Sequence, residues 1–167
     1  MRSQRSSAFG TDALGSHLGS VTCEPNWNLI SFPGGISQAV GQVLQDRASD
    51  SLLFTALWGW NSRQNRFQRV LESSVPEPNI GFWLYSDTGG QPRAYDIISQ
   101  TAGIDLQDGW NLIGPSAEIS ISNNSSVVAA WRWSATERTY RMVSFAERLL
   151  PGYAYWVYSR SHNRLTW

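Results

Sequence analysis

The sequence predicts an all-β protein of two tandem five-strand repeats, packed with pseudo-twofold symmetry as a barrel or sandwich, with one short helix in the first repeat. Three observations carry this expectation. Aromatic residues make up 13% of the 167 residues, with 9 Trp, 6 Tyr and 6 Phe, and broad flat side chains at that density suit pleated faces. The chain contains an internal duplication. Its strand-like runs are apolar on both faces, which requires burial on both faces.

The duplication organises the chain. Val21–Ser31 (VTCEPNWNLIS) matches Ile104–Gly114 (IDLQDGWNLIG), Leu57–Trp60 matches Ala130–Trp133, and Pro78–Ser86 matches Pro151–Ser159. Trp27, Trp58, Trp60 and Trp83 thereby align with Trp110, Trp131, Trp133 and Trp156. The alignment holds without a gap from Trp58 to Ser86, so the difference in spacing is one insertion in the first copy, between Pro33 and Leu53. The reading is an extended arm over 1–19, β repeats over 20–87 and 103–160, a linker over 88–102 and a tail over 161–167.

The elements follow in order. The arm is Ser- and Gly-rich without periodicity. Val21–Glu24 and Trp27–Phe32 flank Pro25-Asn26, and the second copy has Asp108-Gly109 there, a strong hairpin signal. Inserted Ile36, Val40, Val43 and Leu44 have helical spacing after a possible Ser37 cap and predict a short amphipathic helix. The second copy places the polar loop Ser122–Ser126 there instead. Strands over Leu52–Trp60 and Arg66–Val70 flank the polar turn Asn61–Asn65, and Gly81–Ser86 is the fifth. Trp27 and Leu29 oppose Ile30 and Phe32, while Phe82 and Leu84 oppose Trp83 and Tyr85. Trp83 and Trp156 are therefore expected in the core. A single copy would bury only ~60% of its unfolded surface, so the two copies are expected to share one core.

Composition excludes several functions. Basic and acidic residues both total 13, so the net charge is +0, without the excess positive charge of a nucleic-acid binder. No apolar run approaches the ~18 residues of a membrane helix. All basic residues are Arg, a planar, stacking cation. Cys23 is the lone cysteine and aligns with Leu106, which makes it an inward core residue, without a disulfide or a Cys-based metal site. His17 and His162 lack partners at metal-ligand spacing and are expected to be exposed. No Gly-x-Ser-x-Gly elbow occurs. Asp46 and Asp50, and Asp105 and Asp108, form no evident acid–base pair, and Gly89-Gly90 reads as a turn. Neither catalytic residues, a metal nor a cofactor is expected.

Binding chemistry concentrates in the two aromatic hairpins. Trp58 and Trp60 share a strand face with Phe67 returning beside them, and Trp131, Trp133 and Tyr140 repeat the pattern. Arg63, Arg66 and Arg69 surround the first hairpin, and Arg132, Arg138 and Arg141 the second. The candidate binding set is Trp60, Arg63, Arg66, Phe67, Trp133, Arg138, Tyr140 and Arg141, with Trp58 and Trp131 assigned to the core. Such platforms suit stacked rings with Arg gripping polar or anionic groups. In the arm, Arg2, Arg5, Phe9, Leu14 and Leu18 are spaced as contacts along a strap across a subunit boundary.

The Trp-Asn-Leu-Ile and Gly-Tyr-Trp motifs, covering roughly 20–160, resemble a β repeat of bacterial secreted and cell-surface proteins. Its pattern runs Gly-Trp-Asn-Leu-Ile-Ser-x-Pro, a short helix, a Trp-centred hairpin and Pro-Gly-x-Gly-Tyr-Trp-Ile. The resemblance implies a stalk or attachment module and brings no catalytic residues. Two departures, the lack of an export signal and the Ser/Gly-rich arm, point to an assembly subunit, including a virion component. The expectation is a non-catalytic, oligomeric interaction module at a cell surface or in a virion, contacting other protein subunits. The alternative is a carbohydrate-binding adhesion module. Neither nucleic acid nor membrane insertion is expected.

Overall fold

Alternating apolar residues produce strands through most of this chain. The structure, a computed structural model, describes residues 16–17 and 22–167. Arg2, Arg5, Phe9, Leu14 and Leu18 lie outside the described residues. The elements are β1 (Ser16–His17), β2 (Asn26–Ser31), α1 (Val40–Val43), β3 (Ala56–Asn61), β4 (Arg66–Arg69), β5 (Gly81–Ser86), β6 (Tyr95–Asp96) and β7 (Gly103–Leu106). They continue with β8 (Gly109–Ile113), β9 (Ile119–Ser120), β10 (Val127–Ser134), β11 (Thr139–Met142), β12 (Arg148–Leu149), β13 (Tyr155–Ser159) and β14 (Asn163–Thr166). Among the described residues the fold is all-β apart from the single helical turn of α1.

Two four-stranded antiparallel sheets dominate, in the orders β2-β5-β3-β4 and β8-β13-β10-β11. The remaining strands form the pairs β1-β6, β9-β12 and β7-β14. No sheet among the described residues closes into a barrel, which removes that half of the expectation. Each large sheet ends on a hairpin arm, β4 or β11, exposed along its length. Arg66 and Arg69 in β4, and Arg141 in β11, are charges of the kind that blunt a sheet edge.

The expectation of one shared core also fails. Ile30, Phe32, Leu57, Phe82 and Leu84 form a first core, roofed by Ile36, Val40, Val43 and Leu44. Ile113, Ala130, Tyr155 and Val157 form a second, roofed by Ile119, Ile121 and Leu149 around the β9-β12 pair. Between them lies a smaller cluster of Leu29, Leu112 and Ala154, against which Trp60, Trp83, Trp133 and Trp156 pack. Strands apolar on both faces arise because β5 and β13 bury one face in their own core and turn the other to this cluster. Trp83 and Trp156 accordingly sit half-buried in the third cluster.

Helix α1 appears where its apolar spacing placed it, shortened to one turn, and the cap differs. The Gln42 side chain accepts from the Ala39 backbone N–H at 3.2 Å, so Ala39 stands at the cap and Ser37 does not. The 122–126 segment is a turn, with Asn124 Oδ1 accepting from Ser126 N–H at 3.1 Å.

The expected hairpin at Asp108-Gly109 is instead a corner between sheets. β7 pairs with β14 and β8 with β13, while the described residues 22–24 contribute only a bridge from Cys23 to Gly90. The cause is a buried asparagine in each motif. Asn28 Oδ1 accepts from Glu24 N–H at 2.8 Å, and its Nδ2 donates to the carbonyls of Glu24 and Asn26 at 2.8 and 2.9 Å. Asn111 does the same for Gln107 and Gly109 at 2.8, 2.9 and 3.0 Å. These bonds occupy backbone groups that a two-strand ladder would use. Asn26 and Gly109 turn the corner at φ 84° and 93°, a left-handed geometry that Gly and Asn tolerate best.

The segments flanking the repeats are structural parts. Tyr95 and Ile97, from 88–102, are buried in the first core, and β6 pairs with β1. In the tail, Leu165 is buried in the second core and the Trp167 indole donates to the Thr101 carbonyl at 2.6 Å.

Of the described glycines, Gly114 is the most closely approached: an added Cβ would stand 2.0 Å from Ser31 Cβ. We expect Gly114→Ser to destabilise the fold by ~1–3 kcal/mol through overpacking. Adding Ser31→Gly should recover more than half of that loss in urea melts. A double variant no more stable than the single one would place the strain elsewhere.

Candidate functional site

Strand alternation and register build the candidate site. In β3 the period of two sets Trp58 and Trp60 on one face. Directly opposed residues point the same way, so Phe67 joins Trp60, and Arg69 joins Trp58. Across the sheet this creates a row Leu29–Trp83–Trp58–Arg69. The second sheet carries Leu112–Trp156–Trp131–Met142.

These aromatic faces meet. Trp60 packs edge-on against Trp156 at 5.2 Å between ring centroids, and Trp133 against Trp83 at 5.3 Å. The Trp60 indole N–H donates to the Trp110 carbonyl at 2.9 Å, and that of Trp133 to the Trp27 carbonyl at 2.8 Å. Phe67 and Tyr140 add edge contacts to Trp156 and Trp83 at 6.1 Å each.

Two open grooves flank this contact. The first, about 600 Å³, is lined by Trp27, Trp58, Phe67, Trp83, Trp133 and Tyr140. The second, about 700 Å³, is lined by Trp60, Asn65, Phe67, Trp110, Trp131, Tyr140 and Trp156. Each takes side chains from both sheets, so neither exists in one half alone. Their rims remain accessible, with Phe67 46% and Tyr140 44% exposed. Partial burial raises the Tyr140 phenol pKa, an effect the neighbouring Trp156 indole partly offsets.

The sequence-predicted residues divide into three groups. Trp60, Phe67, Trp133 and Tyr140 come together at the grooves, with the two Trp also serving as fasteners between sheets. Arg63 lines a third cleft of about 650 Å³ beside Trp60, Gln68, Glu77, Asp105 and Gln107. Arg66 opposes Asn61, and Arg141 opposes Arg132, on the opposite hairpin faces from the tryptophans. Arg138 sits in the turn at φ 53°, and Arg141 is ion-paired with Glu137. Among the described residues, the two grooves are thus lined without arginine.

The assignment of Trp58 and Trp131 to the core is corrected. Both are half-buried, line the grooves and make no ring contact among the described residues. The signal was present in the alternation, because the core partner at that point of β3 is Leu57, fully buried.

Of the other chemistry-bearing residues, Asp46 accepts from the Ser49 hydroxyl and backbone and from Gln91 N–H, which lowers its pKa. Asp50 pairs with Arg93, and Asp105 with Arg164. His162 is exposed. No three His, Cys, Asp or Glu gather as metal ligands among the described residues, and no helix there is long and apolar enough to cross a membrane. Cys23 is buried in the first core, and burial, with the Glu24 charge second, pushes its thiol up to about 11.

No family model matches this chain, and neither a curated protein nor a solved structure does.

Two outcomes follow from this geometry. Trp60→Phe and Trp133→Phe keep a ring but lose the indole donor, so each should cost ~0.5–1.5 kcal/mol, the net worth of one hydrogen bond whose acceptor water can reach. Urea melts would test it, and unchanged midpoints would make the indole bonds incidental. Cys23 is protonated in the fold at pH values where an unfolded thiol, with its ordinary value of 9.0, ionises. Its contribution to stability is whole below that value and falls as pH rises toward about 11. The wild-type urea midpoint should therefore drop more steeply over that window than that of Cys23→Ala, and equal slopes would remove the thiol from the account.

Proposed function

We propose that this chain is a non-catalytic interaction module, a subunit of a surface or virion assembly that contacts other proteins through its exposed aromatics and N-terminal arm. The observation that carries the reading is the pair of aromatic grooves, each composed from both halves of the chain. Water-exposed Trp, Tyr and Phe grouped in concave surfaces are the material of protein interfaces. The likeness of the repeats to those of bacterial cell-surface proteins supplies the setting.

On this reading the two repeats are related by a pseudo-twofold axis, as in a sandwich of two like halves. The support is reciprocity. Trp60 bonds Trp110 while Trp133 bonds Trp27, and Ile30 bridges Tyr153 while Ile113 bridges Ile80. Exchange of equivalent partners is the mark of an isologous contact.

A second reading, a carbohydrate-binding module, draws on the third cleft. There Trp60 and Arg63 stand with the polar side chains of Gln68, Glu77 and Gln107.

The assembly reading is tested on the full chain and on a form lacking 2–15, which retains the β1-β6 pair. The truncated form should melt nearly unchanged yet sediment as a smaller species, because it loses the anchors Phe9 and Leu14 and keeps only Leu18 of the strap. An unchanged oligomeric state would remove the arm from the contact. A monomeric full-length protein that binds an oligosaccharide would replace the assembly reading with the second one.

A further inference from the structure

We infer that the third cleft is a single binding site for a neutral saccharide, opened in the first repeat by Gly59 and closed at the matching place in the second by Arg132. This rests on the carbohydrate reading and names its site, its ligand class and its number per chain.

The cleft takes its lining from both halves of the chain. The β3–β4 hairpin contributes Arg63 and Gln68, the 74–78 segment Glu77, and the β7–β8 corner Gln107. Gly59, Ile80 and Phe82 add an apolar part to the lining. Its volume of about 650 Å³ falls within the ~300–1,000 Å³ of small-ligand clefts.

Charge and hydrogen-bonding capacity select the ligand. The lining carries two arginines, Arg63 and Arg69, and two carboxylates, Glu77 and Asp105. Asp105 is committed to Arg164. Arg63, Glu77 and the Gln107 side chain make neither ion pair nor side-chain hydrogen bond among the described residues. Gln68 gives its Nε2 to Gln64 at 3.2 Å and keeps its carbonyl oxygen. A guanidinium only donates, a carboxylate only accepts, and an amide does both. A sugar hydroxyl also does both, so neighbouring hydroxyls on one ring satisfy this mixed set. A ligand with a single net charge would meet Arg63 or Glu77 as a like charge. An uncharged sugar avoids that repulsion, and its C–H groups suit the apolar part of the lining.

The duplication shows why there is one such site. In the ungapped stretch of the alignment Gly59 matches Arg132, Gln68 matches Arg141, and Glu77 matches Leu150. Arg132 stands opposite Arg141 in register, as Gly59 stands opposite Gln68. The Arg132 charge acts on Glu137 and on the phenol of Tyr155, the counterpart of Phe82. The second repeat therefore sets a charged side chain beside the ring where the first has none, and it holds leucine in place of the carboxylate.

The experiment probes an array of neutral, acidic and amino oligosaccharides with the full chain, then titrates the best-bound neutral one by calorimetry. One site per chain is expected. Gly59→Arg makes the first repeat match the second and should abolish binding. An added Cβ there would meet Phe82 and Val70 only at 3.6–3.7 Å, an ordinary contact. Glu77→Gln keeps the shape, loses a charged acceptor and should weaken binding roughly tenfold. Glu77 is exposed, so this variant tests the inference even where Gly59→Arg fails to fold.

Preference for an acidic or amino sugar, or two sites per chain, would overturn the inference. So would binding that survives in a folded Gly59→Arg protein or is untouched by Glu77→Gln. Each of these leaves the carbohydrate reading standing with its sugar of another class or at another place. Absence of binding to every glycan on the array would overturn both.

Discussion

Two indole-to-carbonyl bonds hold the arrangement on which the rest depends. Trp60 reaches the backbone of Trp110, and Trp133 that of Trp27, so each sheet is fastened to the other near the turn of its hairpin. An indole has a single donor, and each of these two is spent on a carbonyl of the other sheet. That match across the contact fixes how the two aromatic faces sit. Edge-to-face ring pairs add ~0.5–1.5 kcal/mol each beyond the area they bury. Trp58 and Trp131, two residues earlier on their strands, fall past the end of the contact and form groove walls.

The division into two cores has a simple physical origin. Each four-stranded sheet must cover its outer face locally, because its inner face is committed to the other sheet. The first half uses α1 and the segment through Tyr95 and Ile97. The second uses the β9-β12 pair and the tail strand with Leu165. Different roofs over similar sheets explain why sequence matches are strong in the motifs and weak outside them. Close approach adds a further constraint. A Cβ on Gly81 would stand 2.7 Å from both Ala154 Cβ and Leu112 Cγ, and one on Gly114 would stand still closer to Ser31, so both crossings need a residue without a side chain.

The sequence was informative about strands and faces. Regular alternation located β2, β3, β4 and β5 and their counterparts, and paired Phe67 with Trp60 and Tyr140 with Trp133. It placed Cys23 in the core and Ile36, Val40, Val43 and Leu44 under one roof. It was less informative about the site, because Arg66 and Arg141 are near the tryptophans in sequence but project from the other face. Their positions opposite Asn61 and Arg132 depend on hairpin register.

By itself, then, the sequence determined the all-β class and the side of each strand to which its residues belong. Those properties come from a period of two and from local apolar spacing. Only the tertiary structure decided that the sheets stay open, that the Asp108-Gly109 turn is a corner, and that the halves keep separate cores. It also decided that Trp60 and Trp133 fasten the sheets while Trp58 and Trp131 face the grooves. All four tryptophans obey the same alternation, and what separates them is the reach of an indole N–H to a carbonyl on the other sheet. That distance exists only once the two sheets have met.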